Sequence, residues 1–305
     1  MVYLLLAILC GSLFSIVFKL CQRHGVDGLQ VIFFNYTIAF VFTLLPILAR
    51  AGFDPAVSFA DMVPRPSGWL LALAQGLLFT TGFVIMDRST QRSGVALTTV
   101  CARASLVLPV LLSWMLLSQP APSWLPVLLT LAAMALVIGP TESKAPARQI
   151  AGRQPARYAA MLALLGVFFV MGFSDFFLKV VQHSVSTDSA PGAVEFKLDA
   201  LTCIIFLMAS LSSLLVCLVT GSFRRHMVRW ATVGWGALLG LANIGCTSCM
   251  LRALAVMPTG LYYPLYNFGI VLVATLAGLL FFGERLKWMQ VAGLALAVAA
   301  IALSF

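Results

Sequence analysis

Charge is what this chain lacks most. Asp, Glu, Lys and Arg together make up 10% of its 305 residues, against about a quarter in a soluble domain. Histidine is nearly absent. The three, His24, His183 and His226, lie in or beside loops, so neither a metal centre nor a Ser/His nucleophile has a cluster to draw on. The sequence contains no H-E-x-x-H, no G-x-S-x-G and no G-x-x-x-x-G-K-[ST]. The common signatures of zinc hydrolases, serine hydrolases and P-loop NTPases are therefore missing, and no enzyme activity, cofactor or metal is expected. The seven cysteines fall in or at the ends of apolar segments and imply no disulfide framework. Cys246-x-x-Cys249 has no nearby His and reads as two small residues packing against a neighbouring helix. The N-terminus has no basic n-region and no A-x-A-like site, so a retained first helix is expected there and not a cleaved signal.

What the chain has in abundance is apolar surface. Hydrophobic residues make up 61% and the mean hydropathy is +1.02. A soluble core could not hide that much, and lipid is the natural solvent. Backbone polar groups in lipid must be satisfied internally, which leaves helices or a closed barrel. Barrel strands would alternate over about 10 residues, whereas a spanning helix needs about 20 apolar ones in a row. The runs here are of the second kind. The net charge of +9 comes mostly from short loops beside lipid headgroups, so nucleic acid is not an expected partner. The bilayer and a small-molecule substrate are.

Ten apolar segments can be drawn: 2–22, 30–49, 68–87, 94–117, 123–139, 158–181, 198–220, 231–254, 259–282 and 287–304. A polar stretch rich in Pro, Ala and Arg, 141–157, reads as a linker. It divides the chain into five-helix halves, 1–140 and 158–305, and the halves echo one another. Lys19 and Gln22 match Lys179 and Gln182, Gly68-Trp69 matches Gly234-Trp235, Met86 and Arg88 match Met250 and Arg252, and Gly94 matches Gly260, in chain order and at a nearly constant offset. Five is odd, so the second half enters the membrane from the opposite side. The expected fold is all-α integral membrane, with ten transmembrane helices as two inverted-topology repeats. Transporters use this plan with the substrate near the midplane between the halves. A monomer is expected, with a homodimer as the alternative.

This architecture resembles the EamA branch of the drug/metabolite transporter superfamily. The most family-like stretch is Phe282-Gly283-Glu284-Arg285-Leu286 followed by Trp288-x-Gln290-x-x-Gly293, similar to the G-E-R/K-L…Q…G pattern that joins the last two helices of an EamA half. The first half reads Leu117-Ser118-Gln119-Pro120 at the corresponding place. The resemblance implies transport of a small metabolite and names no substrate.

A charge at a helix centre in the bilayer costs at least ~2.5–3.5 kcal/mol and marks a site by default. Arg103, about ten residues into the fourth segment, is either an anion-binding group in a cavity or the partner of a structural carboxylate. Asp175 and Lys179 lie at i,i+4 and can pair. Lys19, its counterpart in the first half, has no acidic neighbour one turn away. Both lysines either snorkel to the headgroups or flank a central site. In the ninth segment, Tyr262 and Tyr266 share one face, and Tyr263 and Asn267 the next. Pro264 removes the usual partner of the Gly260 carbonyl. This is either a cavity wall or an interfacial tyrosine belt. Asn35, Tyr36, Gln75 and Asn243 serve either substrate contacts or helix–helix hydrogen bonds, and Gly236-x-x-x-Gly240 suits close helix approach. The candidate binding residues are thus Lys19, Asn35, Gln75, Arg103, Asp175, Lys179, Asn243, Tyr263, Tyr266 and Asn267. Three cations against one carboxylate favour an anionic or zwitterionic substrate, such as an amino acid or organic acid.

The expected function is secondary transport by alternating access, driven by a gradient or by exchange. The alternatives are an intramembrane enzyme acting on lipid-linked substrate, or a channel. Twelve Lys and Arg lie in loops after odd-numbered segments and four in loops after even-numbered ones. The positive-inside rule then places both termini outside, whereas the family resemblance implies both in the cytoplasm. The membrane expected is the plasma membrane, the inner membrane of a bacterium.

Overall fold

The structure, a computed structural model, describes residues 1–23, 26–53, 66–93, 95–138, 154–188, 194–225, 227–282 and 288–302. The side chain of Lys19, the motif around Glu284, His24, His226, Gly94 and most of the 141–157 linker lie outside the described residues. All described elements are helices, and no strand occurs among the described residues. In chain order they are α1 (Val2–Arg23), α2 (Gly28–Phe53), α3 (Pro66–Ser93), α4 (Val95–Ala104), α5 (Val107–Leu116), α6 (Trp124–Ile138), α7 (Gln154–Asp188), α8 (Val194–Thr220), the single turn α9 (Ser222–Arg225), α10 (Trp230–Val256), α11 (Thr259–Phe282) and α12 (Trp288–Ala302).

Six helical stretches among the described residues are long and apolar enough to cross a bilayer: Gly28–Ala49, Gly68–Ser89, Thr98–Leu116, Tyr158–Thr187, Val194–Thr220 and Trp230–Val256. The burial pattern suits lipid. Leu162, Leu215 and Val219 are 68%, 61% and 79% exposed, while Asn35, Gln75 and Lys179 are 0%, 0% and 4% exposed. A water-soluble protein does the reverse. The chain is an all-helical protein with the apolar helices of a multi-pass membrane protein.

Two segments differ from the sequence expectation. The segment 158–181 is the middle of a longer helix, α7, which starts at Gln154 and continues to Asp188. The segment 94–117 is not one regular helix. It breaks between α4 and α5, at Ser105 and Leu106. Pro109 is the cause: it has no N–H, and its ring crowds the carbonyl four residues back, that of Ser105. That carbonyl accepts instead from Leu108 N at 2.9 Å, and Leu106 N bonds Arg103 O at 3.2 Å. Both are tighter bonds of the 3₁₀ kind. Pro46 and Pro264, by contrast, sit inside continuous helices.

The chain forms two compact units, and each draws on both halves of the sequence. The first comprises Met1–Thr80 and Phe177–Val256, the second Thr81–Phe176 and Met257–Phe305. In the first unit α10 packs on α1 and α2, and α2 also packs on α8. Small residues set these approaches. A Cβ at Gly236 would meet Phe34 Cβ at 2.5 Å, and one at Gly76 would meet Met208 Cβ at 2.6 Å. Tyr36, Phe79 and Phe206 stack where α2, α3 and α8 meet. In the second unit α12 lies along α6, which also meets α4 and α11. There Gly172 of α7 lets Leu108 and the Ser105 carbonyl approach, a Cβ falling 2.5 and 2.9 Å from them. The broken α4–α5 joint is thus packed against α7.

Candidate functional site

The second unit gathers four of the ten sequence candidates into one chain of contacts. Arg103, two residues before the break, donates from Nη1 to Asn267 Oδ1 at 3.1 Å. Asn267 Nδ2 donates to the Tyr263 carbonyl one turn back, at 3.0 Å. The Tyr263 hydroxyl donates to the backbone carbonyl of Asp175 at 2.6 Å. Asp175 and Arg103 are also close enough to attract each other electrostatically. The link therefore runs from α4 through α11 to α7. The Tyr262 and Tyr266 rings stack at 5.5 Å, and Tyr263 meets Tyr262 edge-on at 5.3 Å.

These contacts bear on the sequence alternatives. Tyr262, Tyr263 and Tyr266 are all buried, at 0%, 0% and 8% exposure, so they are no interfacial belt. Arg103 forms no ion-pair contact among the described residues. Its bonded partner is a neutral amide, and its Nε, buried, has no hydrogen-bond partner there. A buried guanidinium N–H without an acceptor carries a desolvation cost of ~1–3 kcal/mol or more. The arrangement is a planar donor held by an amide, with the Asp175 carboxylate near enough to attract it.

Of the remaining candidates, Tyr266 also lies in the second unit and the others in the first. Lys179 is buried, and its ammonium donates to Gln182 Oε1 at 2.6 Å and to the Leu254 carbonyl at 2.7 Å. Gln182 passes the contact on to Ser186 at 2.8 Å. The expected Asp175–Lys179 pair is not formed, because the amine turns to the last turn of α10. Carbonyls there lack intrahelical partners and favour a cation. The ammonium ends on a helix terminus, and the Lys179 side chain is 4% exposed. Asn243 Nδ2 donates to Asn35 Oδ1 at 3.3 Å, and Thr247 donates to Asn243 at 3.3 Å. Gly236 and Gly240 bring the two backbones together at this point, as their spacing suggests. Gln75 is fully buried on α3, one residue before the close packing of Gly76 against α8.

Some contacts that hold these helices were not singled out from sequence. Arg252 Nη2 pairs with Asp199 Oδ1 at 2.8 Å, both partly exposed, joining α10 to α8. Thr37 bonds Ser210 at 2.8 Å, and Thr80 bonds Ser212 at 2.7 Å. Hydroxyl residues inside apolar segments were the available signal.

The fold has a solved counterpart. A crystal structure superposes with a TM-score of 0.73, covering 99% of this chain and 95% of that one at 14% sequence identity. An uncharacterized protein of Haemophilus influenzae is 27% identical over 307 aligned positions, spanning 98% of this chain and 95% of its own. No family model matches the chain. At these identities the likeness concerns the fold.

Proposed function

We propose that the protein is a secondary transporter of a small anionic or zwitterionic metabolite, such as an amino acid or organic acid, working by alternating access. The observation that carries this reading is Arg103: a guanidinium within a membrane-length helical stretch, at a helix break, held by Asn267 and with an N–H still to be satisfied. A cation kept at such a place against a cost of ~2.5–3.5 kcal/mol suits an anionic group of a cargo. Broken helices beside a charge are a recurring feature of transporter sites, where irregular backbone lines a cavity. The proposal extends to ten membrane helices in two inverted five-helix repeats, to membership of the EamA branch, and to the bacterial inner membrane. It rests there on the internal sequence echo and on the Phe282–Gly293 pattern.

Purified protein in liposomes tests it. Uptake of radiolabelled cargo, chosen from a metabolite library by thermal-shift screening, should saturate and should show counterflow when the vesicles are preloaded. Flux that rises linearly with concentration, without counterflow, would establish a channel instead.

Orientation follows from the charge count. Against the orientation that the EamA resemblance implies, we expect the 141–157 linker in the cytoplasm and both termini outside. A single cysteine placed in that linker, on a cysteine-free background, should resist an impermeant maleimide in intact cells and react after permeabilisation. Labelling of intact cells would reverse the orientation.

A further inference from the structure

Away from the Arg103 network, the first unit contains a cavity of about 230 Å³ lined by Val26, Asp27, Gln30, Arg225, Met227, Arg229 and Thr232. That is many times the ~10–15 Å³ one water needs. Its lining residues come from the approach to α2, the end of α9 and the start of α10, at the tips of apolar helices. The walls carry both signs of charge. Asp27 caps α2, accepting from Leu29 N at 2.8 Å and Gln30 N at 3.2 Å through Oδ1, and from the Ser222 hydroxyl at 2.9 Å through Oδ2. Those bonds fix the carboxylate at one side of the cavity, opposite in sign to the exposed Arg225 and Arg229. Beside the arginines, Met227 of the lining is 88% exposed, and Trp230, the residue after Arg229, is 90% exposed. Trp beside Arg at the end of a membrane helix belongs at the headgroup level, with its ring toward lipid.

We propose that this cavity seats the headgroup of a zwitterionic phospholipid with a primary ammonium, the phosphate on Arg225 and Arg229 and the ammonium on Asp27, with the acyl chains leaving past Trp230 and Met227. Guanidinium suits phosphate because its planar N–H fork matches the oxygens. A carboxylate accepts from an N–H ammonium, and it has nothing to accept from a quaternary one. The exposed Trp and Met favour a lipid over a free solute with the same charges. The assignment is independent of the transport reading.

Native mass spectrometry of the full-length protein, released from micelles doped equally with phosphatidylethanolamine, phosphatidylcholine and phosphatidylglycerol, tests it. The expected result is retention of phosphatidylethanolamine above the other two. Arg225→Gln with Arg229→Gln, both at exposed positions, should lower that retention about tenfold, the effect of losing one charge-assisted contact or more. Asp27→Asn should narrow the preference over phosphatidylcholine. Because Asp27 also caps α2, the comparison of the two lipids on the unmodified protein supplies the same test without a variant. Soluble phosphoethanolamine should not displace the lipid. Equal retention of all three lipids, preference for phosphatidylglycerol, retention unchanged in the arginine variant, or displacement by free phosphoethanolamine would each overturn the proposal.

Discussion

Arg103→Ala should sharply weaken saturable transport at low cargo concentration. If the guanidinium holds an anionic group of the cargo, its removal forfeits a charge-assisted contact of ~1.5–3 kcal/mol, which corresponds to a roughly 10- to 100-fold loss of apparent affinity. Arg103 makes one side-chain bond among the described residues, to Asn267, and its removal takes away a buried N–H with no acceptor there. It also strips the part-buried Asp175 carboxylate of a nearby cation. Arg103→Ala combined with Asp175→Asn is therefore the variant expected to keep the fold. Arg103→Lys should recover part of the affinity, because lysine keeps the charge but lacks the planar fork. Asn267→Leu should weaken transport less than Arg103→Ala, since it disturbs the orientation of the guanidinium and leaves its charge. Initial rates against cargo concentration in liposomes, with melting temperatures measured alongside, separate these outcomes. Unaltered KM and maximal rate in Arg103→Ala would remove the residue from the site and, with it, the observation on which the transport reading stands.

The helices were legible in the sequence because lipid imposes a simple rule: long uncharged runs must be helical. α2, α8, α10 and α11 begin and end within a few residues of where hydropathy alone places them. The joint between α4 and α5 was signalled by Pro109 but hidden by the apolar run that continues through it. Of the site, Arg103, Tyr263 and Asn267 were legible for a physical reason: polar groups at membrane depth stand out against a uniform background. Their partners were not, because pairing depends on which helices meet. Asp175 and Lys179 show the limit of local reasoning. Their i,i+4 spacing allows a pair, yet Asp175 belongs to one compact unit and Lys179 to the other, and the lysine closes the end of α10. Likewise Arg252 reads from sequence as a cation at the end of its apolar segment. Its partner is an aspartate 53 positions away, a distance no periodicity argument spans.

Gly240→Val should be among the most destabilising single substitutions in the first unit. A Cβ there would lie 2.7 Å from the Asn35 carbonyl oxygen and 3.3 Å from Ile38 Cβ. The first obstacle is backbone, which cannot rotate aside as a side-chain end can, so α2 and α10 must separate. Overpacking of this kind typically costs ~1–3 kcal/mol. Parting the helices also stretches the Asn243–Asn35 hydrogen bond at 3.3 Å, of a class worth ~0.6 kcal/mol on average within membranes. At about 2–4 °C per kcal/mol for a chain of some 150–250 residues, the melting temperature in detergent should fall by roughly 4–10 °C. Two companion variants make the cause specific. Asn243→Leu removes the hydrogen bond and keeps the close approach, so its loss should be smaller than that of Gly240→Val. Gly234→Ala lies on the same helix where an added Cβ meets nothing within 4 Å, and it should be neutral or stabilising, since alanine favours a helix over glycine by ~1 kcal/mol. If Gly240→Val melted with the wild type while Gly234→Ala did not, the close approach of α2 and α10 at Gly240 would not be what holds this unit together.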